Sequence, residues 1–203
     1  MTQQKSFLLK RLMSITGFLP VGGFLLQHLF SNSYAFISPE AYNEHTKFLV
    51  SLPMVVLLEI GLIYLPIFLH AALGLVILYR GENNFANYSY YRNWMFFFQR
   101  FTGFLALVFI ATHSFTTRIK TGLAGEEMTF DTMTQILRNP LWFWFYLVGV
   151  LSVVFHFCNG IWSFLVTWGI TTGTKAQRVS SALTMFLFVT MGIWGVAILL
   201  QFR

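Results

Sequence analysis

Five apolar stretches, each long enough to cross a bilayer as a helix, dominate this chain and leave little of it for anything else. A span needs about 20 helical residues, and the stretches fall at 12–32, 53–79, 94–117, 141–169 and 179–201. The second and fourth exceed that length, so they must tilt or project beyond the lipid. Hydrocarbon offers the backbone no hydrogen-bond partner, so only helices or closed barrels cross it. The runs lack the short alternating pattern of a membrane barrel. Charged residues make up 10% of the 203-residue chain, against about 25% in soluble domains, which is too few to clothe a soluble surface. That count also excludes a disordered chain, a collagen-like chain and a nucleic-acid-binding domain. The expectation is an all-α, polytopic membrane protein: one transmembrane domain over residues 1–203, built as a five-helix bundle.

Lysine and arginine set the orientation. With the N-terminus inside, the inner segments carry Lys5, Lys10, Arg11, Arg80, Arg92, Arg100, Lys175 and Arg178. The outer segments then carry Lys47, Arg118, Lys120, Arg138 and Arg203. Cations concentrate on the cytoplasmic side of membrane proteins, so the N-terminus is expected to be cytoplasmic. Tyr88, Tyr90, Tyr91 and Trp94 on the inner side, and Trp142 and Trp144 on the outer, suit interfacial anchors. The first apolar run follows three cations and ends near Ser31-Asn32-Ser33, the outline of a secretory leader. It is longer than a leader's apolar core and carries Gln27 and His28, so it is read as a retained helix.

Two amphipathic pieces lie in the outer loops. Ser38 suits a helix cap with Pro39 in the first turn, and Tyr42, His45, Phe48 and Leu49 share a side. Phe130, Met133, Ile136 and Leu137 share a side in the second. Helices on the membrane surface and loops tucked against the bundle both account for this pattern.

Four of the five histidines fall in the apolar stretches, one each in the first four: His28, His70, His113 and His156. An ionisable group inside lipid is costly and is read first as functional. Depth sorts them, at 1.5 Å of rise per residue. His28 and His113 stand about 24 and about 28 Å from the inner end, in the outer half. His70 and His156 stand about 26 and about 22 Å from the outer end, in the inner half. The four thus form two pairs at two levels, each pair drawn from two helices. Two imidazoles with no carboxylate or thiolate beside them suit the two axial positions of a haem iron. Zinc usually takes four ligands close together, and each level offers two. With both axial positions filled, electron transfer is the natural use.

The flanks allow room for a macrocycle. Gly149, Ser152, His156, Gly160 and Ser163 share one face of the fourth helix, and Pro66 and Gly74 bracket His70 on the second. Small residues also serve close helix packing alone. Glu59 shares a face with His70 and sits about 9 Å below the outer end. An inward carboxylate there suits proton exchange with a quinone, and a partly hydrated interfacial carboxylate is the plainer account. Arg11 and Arg100, at inner helix ends, suit haem propionates or lipid phosphates. His45 reads as an interfacial side chain. Cys158, the sole cysteine, reads as a packing residue that excludes an internal disulfide and a thiolate cluster.

The stretches PVGGFLLQHL around His28, EIGLIYLPIFLHAALG around His70, YSYYRNWMFFFQRFTG leading to His113, and VGVLSVVFHFCNGIWSFLVTWGIT around His156 resemble the five-helix, two-haem cytochrome b subunits that anchor bacterial succinate dehydrogenases using menaquinone. The resemblance covers nearly the whole chain. It implies five helices around two stacked haems b in a bacterial cell membrane. His70 and His156 would hold the inner, higher-potential haem, and His28 and His113 the outer, lower-potential one. It implies flavoprotein and iron–sulfur partners on the inner face. Electrons would run from succinate through the inner and then the outer haem to menaquinone near the outer face. The same architecture serves as the anchor of a quinol:fumarate reductase or of another dehydrogenase. A histidine-based proton channel or transporter is the alternative from another class, though the inverted repeats common in such proteins are absent.

Overall fold

The computed structural model describes residues 3–81 and 86–203, with side chains from residue 7 onward. Lys5, one of the cations used for orientation, therefore lies outside the described side chains. Among the described residues, five helices are long and apolar enough to cross a membrane: α1 (Phe7–Phe36), α3 (Val55–Arg80), α4 (Tyr91–Ala124), α6 (Pro140–Thr167) and α7 (Thr174–Gln201). Two short helices, α2 (Pro39–Val50) and α5 (Phe130–Arg138), fill the loops at the end of the bundle away from the N-terminus. No strand occurs among the described residues.

Consecutive spans run antiparallel. Along α4 and α6, Phe98 meets Phe155 while Phe109 meets Tyr146. Along α1 and α6, Ser14 meets Trp168 while Gly22 lies under Phe157. The centre of the bundle is α6, which packs on α7 and α4 and places Tyr146, Val154 and Cys158 among the fully buried side chains. Close approach of α6 and α7 needs Gly195, whose added Cβ would stand 2.8 Å from Val150. Cys158 packs against the Met191 sulfur at 4.0 Å, as a buried thiol should. By contrast α3 contributes no buried residue. It leans on α1 and reaches α4 mainly through polar side chains. The belt of exposed Leu62, Phe68, Phe104, Phe186 and Ile193 is the surface a bilayer would cover.

The spans differ from the apolar stretches mostly at their ends. The first and third are longer than hydropathy suggests, because Arg11 and Arg118 stay helical, each charge engaged by side chains of the bundle. Three spans contain one wide π-turn each: Gly17–Val21, Ile60–Tyr64 and Phe115–Ile119. Proline causes the first two. Pro20 lies inside one, and Pro66 lies two residues beyond the end of the other, where a proline nitrogen cannot donate to the preceding turn. In the third, hydroxyls serve the displaced carbonyls: Thr116 donates to Thr112 and Thr117 to His113.

Both amphipathic loop pieces are helices. The Ser38 hydroxyl accepts from the Ala41 N–H at 3.1 Å, and the Thr129 hydroxyl from Thr132. Glu40, in the first turn of α2, is held below the usual carboxyl range by its own backbone N–H and the Ser38 hydroxyl. Tyr42 packs between Phe130 and Phe202, and burial pushes its phenol up to about 12. Asn43 accepts from the Phe130 N–H, locking α2 to α5. Together they form a lid of aromatic side chains over one end of the bundle.

Candidate functional site

The bundle brings the four membrane histidines together in two pairs. His70 of α3 faces His156 of α6 with ring centres 6.0 Å apart, and His28 of α1 faces His113 of α4 at 5.7 Å. An ion bonded to one nitrogen of each ring at about 2.0–2.1 Å separates two imidazole centres by about 6 Å. Along α6, the two levels lie about 15 Å apart, the rise from His156 to Tyr146, which touches His113. No cluster of three or more histidine, cysteine or acidic side chains suited to a metal occurs among the described residues. Each level therefore presents two imidazoles and no other metal ligand of those kinds.

Backbone carbonyls fix the tautomers of the pair nearer the N-terminal end. The His70 Nδ1 lies 2.9 Å from the Met13 carbonyl oxygen, and the His156 Nδ1 lies 2.9 Å from that of Gln99. A carbonyl only accepts, so these shorter contacts favour a proton on each Nδ1 and leave each Nε2 lone pair for a ligand bond, although the Gln99 amide nitrogen also lies 3.2 Å from His156 Nδ1. The Gln99 side chain also donates to the His156 carbonyl, and Asn159 donates to Gln99 Oε1 at 2.6 Å. These bonds tie α4 to α6 beside the histidine. In the second pair, the buried Tyr146 hydroxyl lies 3.2 Å from His113 Nδ1, and the Phe109 ring stacks on His113.

Glycines let the histidines sit close to neighbouring helices. A Cβ on Gly17 would stand 2.4 Å from His70 Cε1, and one on Gly103 would stand 2.8 Å from His156 Cε1. Gly149 serves the other level, where a Cβ would meet the Phe109 ring at 2.2 Å. A Cβ on Gly74 would meet no heavy atom within 4 Å. Paired imidazoles, free Nε2 lone pairs and a cradle of glycines fit a planar iron porphyrin. A substitution tests the cradle. Gly103→Val forces the His156 ring aside, at an overpacking cost of about 1–3 kcal/mol. A lower melting temperature with loss of the ligand at this level alone, read by absorbance, is the expected outcome.

The remaining candidates are placed as follows. Glu59 faces inward and forms a two-pronged ion pair with Arg118 of α4, with Nε to Oε1 at 2.8 Å and Nη2 to Oε2 at 3.0 Å. The Arg118 partner leaves no signal in the sequence reading, which places it as an outer-loop cation. One turn further in, the Tyr64 hydroxyl meets the Ser114 hydroxyl at 3.0 Å. Arg11 lies over Phe7 and Trp168, and its buried Nε has no hydrogen-bond partner. Arg100 crosses the face of Phe96 and donates to the Ile77 carbonyl. His45 stacks on Tyr34 and bonds Ser31, which lies about one turn beyond His28 on α1.

The model of the succinate dehydrogenase/fumarate reductase transmembrane subunit family matches residues 83–199. The succinate dehydrogenase cytochrome b558 subunit of Bacillus subtilis (strain 168) is 44% identical over 202 residues, covering 100% of both chains. Five apolar helices and a match over more than half the chain lead to one assignment: the chain belongs to the succinate dehydrogenase/fumarate reductase transmembrane subunit family.

Proposed function

We propose that this chain is the cytochrome b anchor of a succinate:menaquinone oxidoreductase in a bacterial cell membrane. It would hold one haem b between His70 and His156 and a second between His28 and His113. The observation that carries this reading is the pair of facing imidazoles at each of two levels, at the spacing an iron between ring nitrogens requires. Haem held by these histidines would supply one-electron transfer. The cytochrome b name of the Bacillus subtilis relative supports haem as the cofactor.

The chain's own residues do the positioning. The Met13 and Gln99 carbonyls hold His70 and His156 with Nε2 toward the iron site. Arg11, with its unpartnered Nε, and Arg100, next to Gln99, would supply positive charge for the propionates. Cations outnumber acids at the N-terminal end of the bundle, which supports a cytoplasmic N-terminus. Flavoprotein and iron–sulfur subunits would dock on that basic face. Menaquinone would be reduced at the opposite end, where Glu59 and Arg118 lie beside the His28–His113 level. Reduction to the quinol takes up two electrons and two protons, and a carboxylate inside the bundle is the group suited to pass the protons. The family name covers both succinate oxidation and fumarate reduction, and the same residues serve either direction.

The test is a reduced-minus-oxidised spectrum of the purified complex with haem extraction. Two haems b per chain are expected, and a folded, colourless chain from haem-sufficient cells overturns the proposal.

A further inference from the structure

At the N-terminal end of the bundle, a groove of about 290 Å³ opens between the starts of α4 and α7, with α6 as its floor. Its rim carries two guanidinium groups, Arg92 and Arg178, and two hydroxyls, Tyr91 and Ser181. The rim is pre-organised. Arg92 donates to the Gln177 side-chain carbonyl, the Tyr91 and Ser181 hydroxyls lie 3.2 Å apart, and the Trp162 indole donates to the Gln177 backbone carbonyl. Arg178 is exposed and makes no hydrogen bond or ion pair among the described residues. Among the described residues, no acidic side chain lines the groove.

Below the rim the lining turns apolar. Trp162 and Met185 form the lower part, and Met185 lies about 16 Å along α7 from its first residue, at hydrocarbon depth. Cationic heads above and apolar walls below match a molecule with an anionic head and an acyl tail. A soluble protein partner would meet the rim and would not reach Met185. A free anion would use the arginines and leave the lower groove without purpose.

We infer that this groove is a binding site for an anionic phospholipid of the leaflet at the N-terminal end. The headgroup phosphate sits between Arg92 and Arg178, with the Tyr91 and Ser181 hydroxyls beneath it, and one acyl chain lies on Trp162 and Met185. The site is independent of both histidine pairs.

The experiment uses the purified complex, stripped in detergent and then exposed to phosphatidylglycerol or phosphatidylcholine, with retained lipid counted by native mass spectrometry. The unmodified chain should retain phosphatidylglycerol in preference to phosphatidylcholine. Each cation at a membrane surface is worth about a fivefold factor in affinity for anionic lipid, so Arg92→Gln with Arg178→Gln should lower retention at least tenfold. Arg178→Gln alone breaks no described contact and should lower it about fivefold, which keeps the test valid if the double variant misfolds. Met185→Trp should also lower it by filling the lower groove. Equal retention of both lipids, or retention unchanged in Arg178→Gln, overturns the inference. So does displacement of the lipid by millimolar inorganic phosphate, which would make this a free-anion site. Loss of the iron–sulfur subunit with lipid retention intact would make it a protein contact and overturns it equally.

Discussion

Alanine at His70 or His156 is expected to remove one haem b per chain and leave the other, so that b-type absorbance falls by about half. Alanine at His28 or His113 should remove the complementary half. The expectation follows from geometry. Each ring faces a single partner, at 6.0 and 5.7 Å, and the two levels stand about 15 Å apart. Loss of one imidazole would remove one of the two residues that would hold one haem and would leave the other level untouched. The sharper reading is of pairing. His70→Ala and His156→Ala must delete the same spectral component, and His28→Ala and His113→Ala the other. Deletion of one component by His70→Ala and His28→Ala together would break the assignment. His156→Met offers a check that does not depend on loss, because a thioether is also an axial ligand and raises the potential. That variant should keep its absorbance at a shifted midpoint. Abundance of the chain in membranes separates a lost cofactor from a lost fold.

The pairing was legible from sequence for a simple physical reason. Long antiparallel helices convert residue number into depth at a fixed rise, so position along each apolar run places His28 with His113 and His70 with His156. The surface helices were legible through their caps, Ser38 with Pro39 above all. What the sequence hid was of two kinds. The partners of His70 and His156 are backbone carbonyls, of Met13 and Gln99, and every residue has a carbonyl. No side-chain pattern marks which one a histidine will use. The second kind is the Glu59–Arg118 pair, 59 positions apart in the chain. Hydropathy ends the third span at residue 117, one short of Arg118. The helix instead runs on through the wide turn Phe115–Ile119, where threonine hydroxyls serve the displaced carbonyls. That extension keeps the guanidinium on the bundle rather than in a loop.

Glu59→Gln is expected to slow electron delivery from succinate to menaquinone by about a hundredfold, the lower end of what a positioned proton-transfer group contributes. Reduction of the cytochrome by succinate should keep its rate, because electrons reach the histidine levels without a proton from Glu59. The amide keeps the size of the carboxyl group and still accepts from Arg118, so the bundle is preserved while the proton carrier is gone. Arg118→Lys separates the two roles of the pair. Lysine keeps the charge but loses the fork that grips both carboxylate oxygens at 2.8 and 3.0 Å. If Glu59 moves protons, Arg118→Lys should slow quinone reduction less than Glu59→Gln does, because the carboxylate remains. If the pair is only a strut, the order reverses: α3 contributes no buried residue and depends on such links to reach α4. Arg118→Lys would then lower the melting temperature more than Glu59→Gln, and neither would change the ratio of quinone reduction to cytochrome reduction. That ratio, measured in the same membranes, decides between proton carrier and strut.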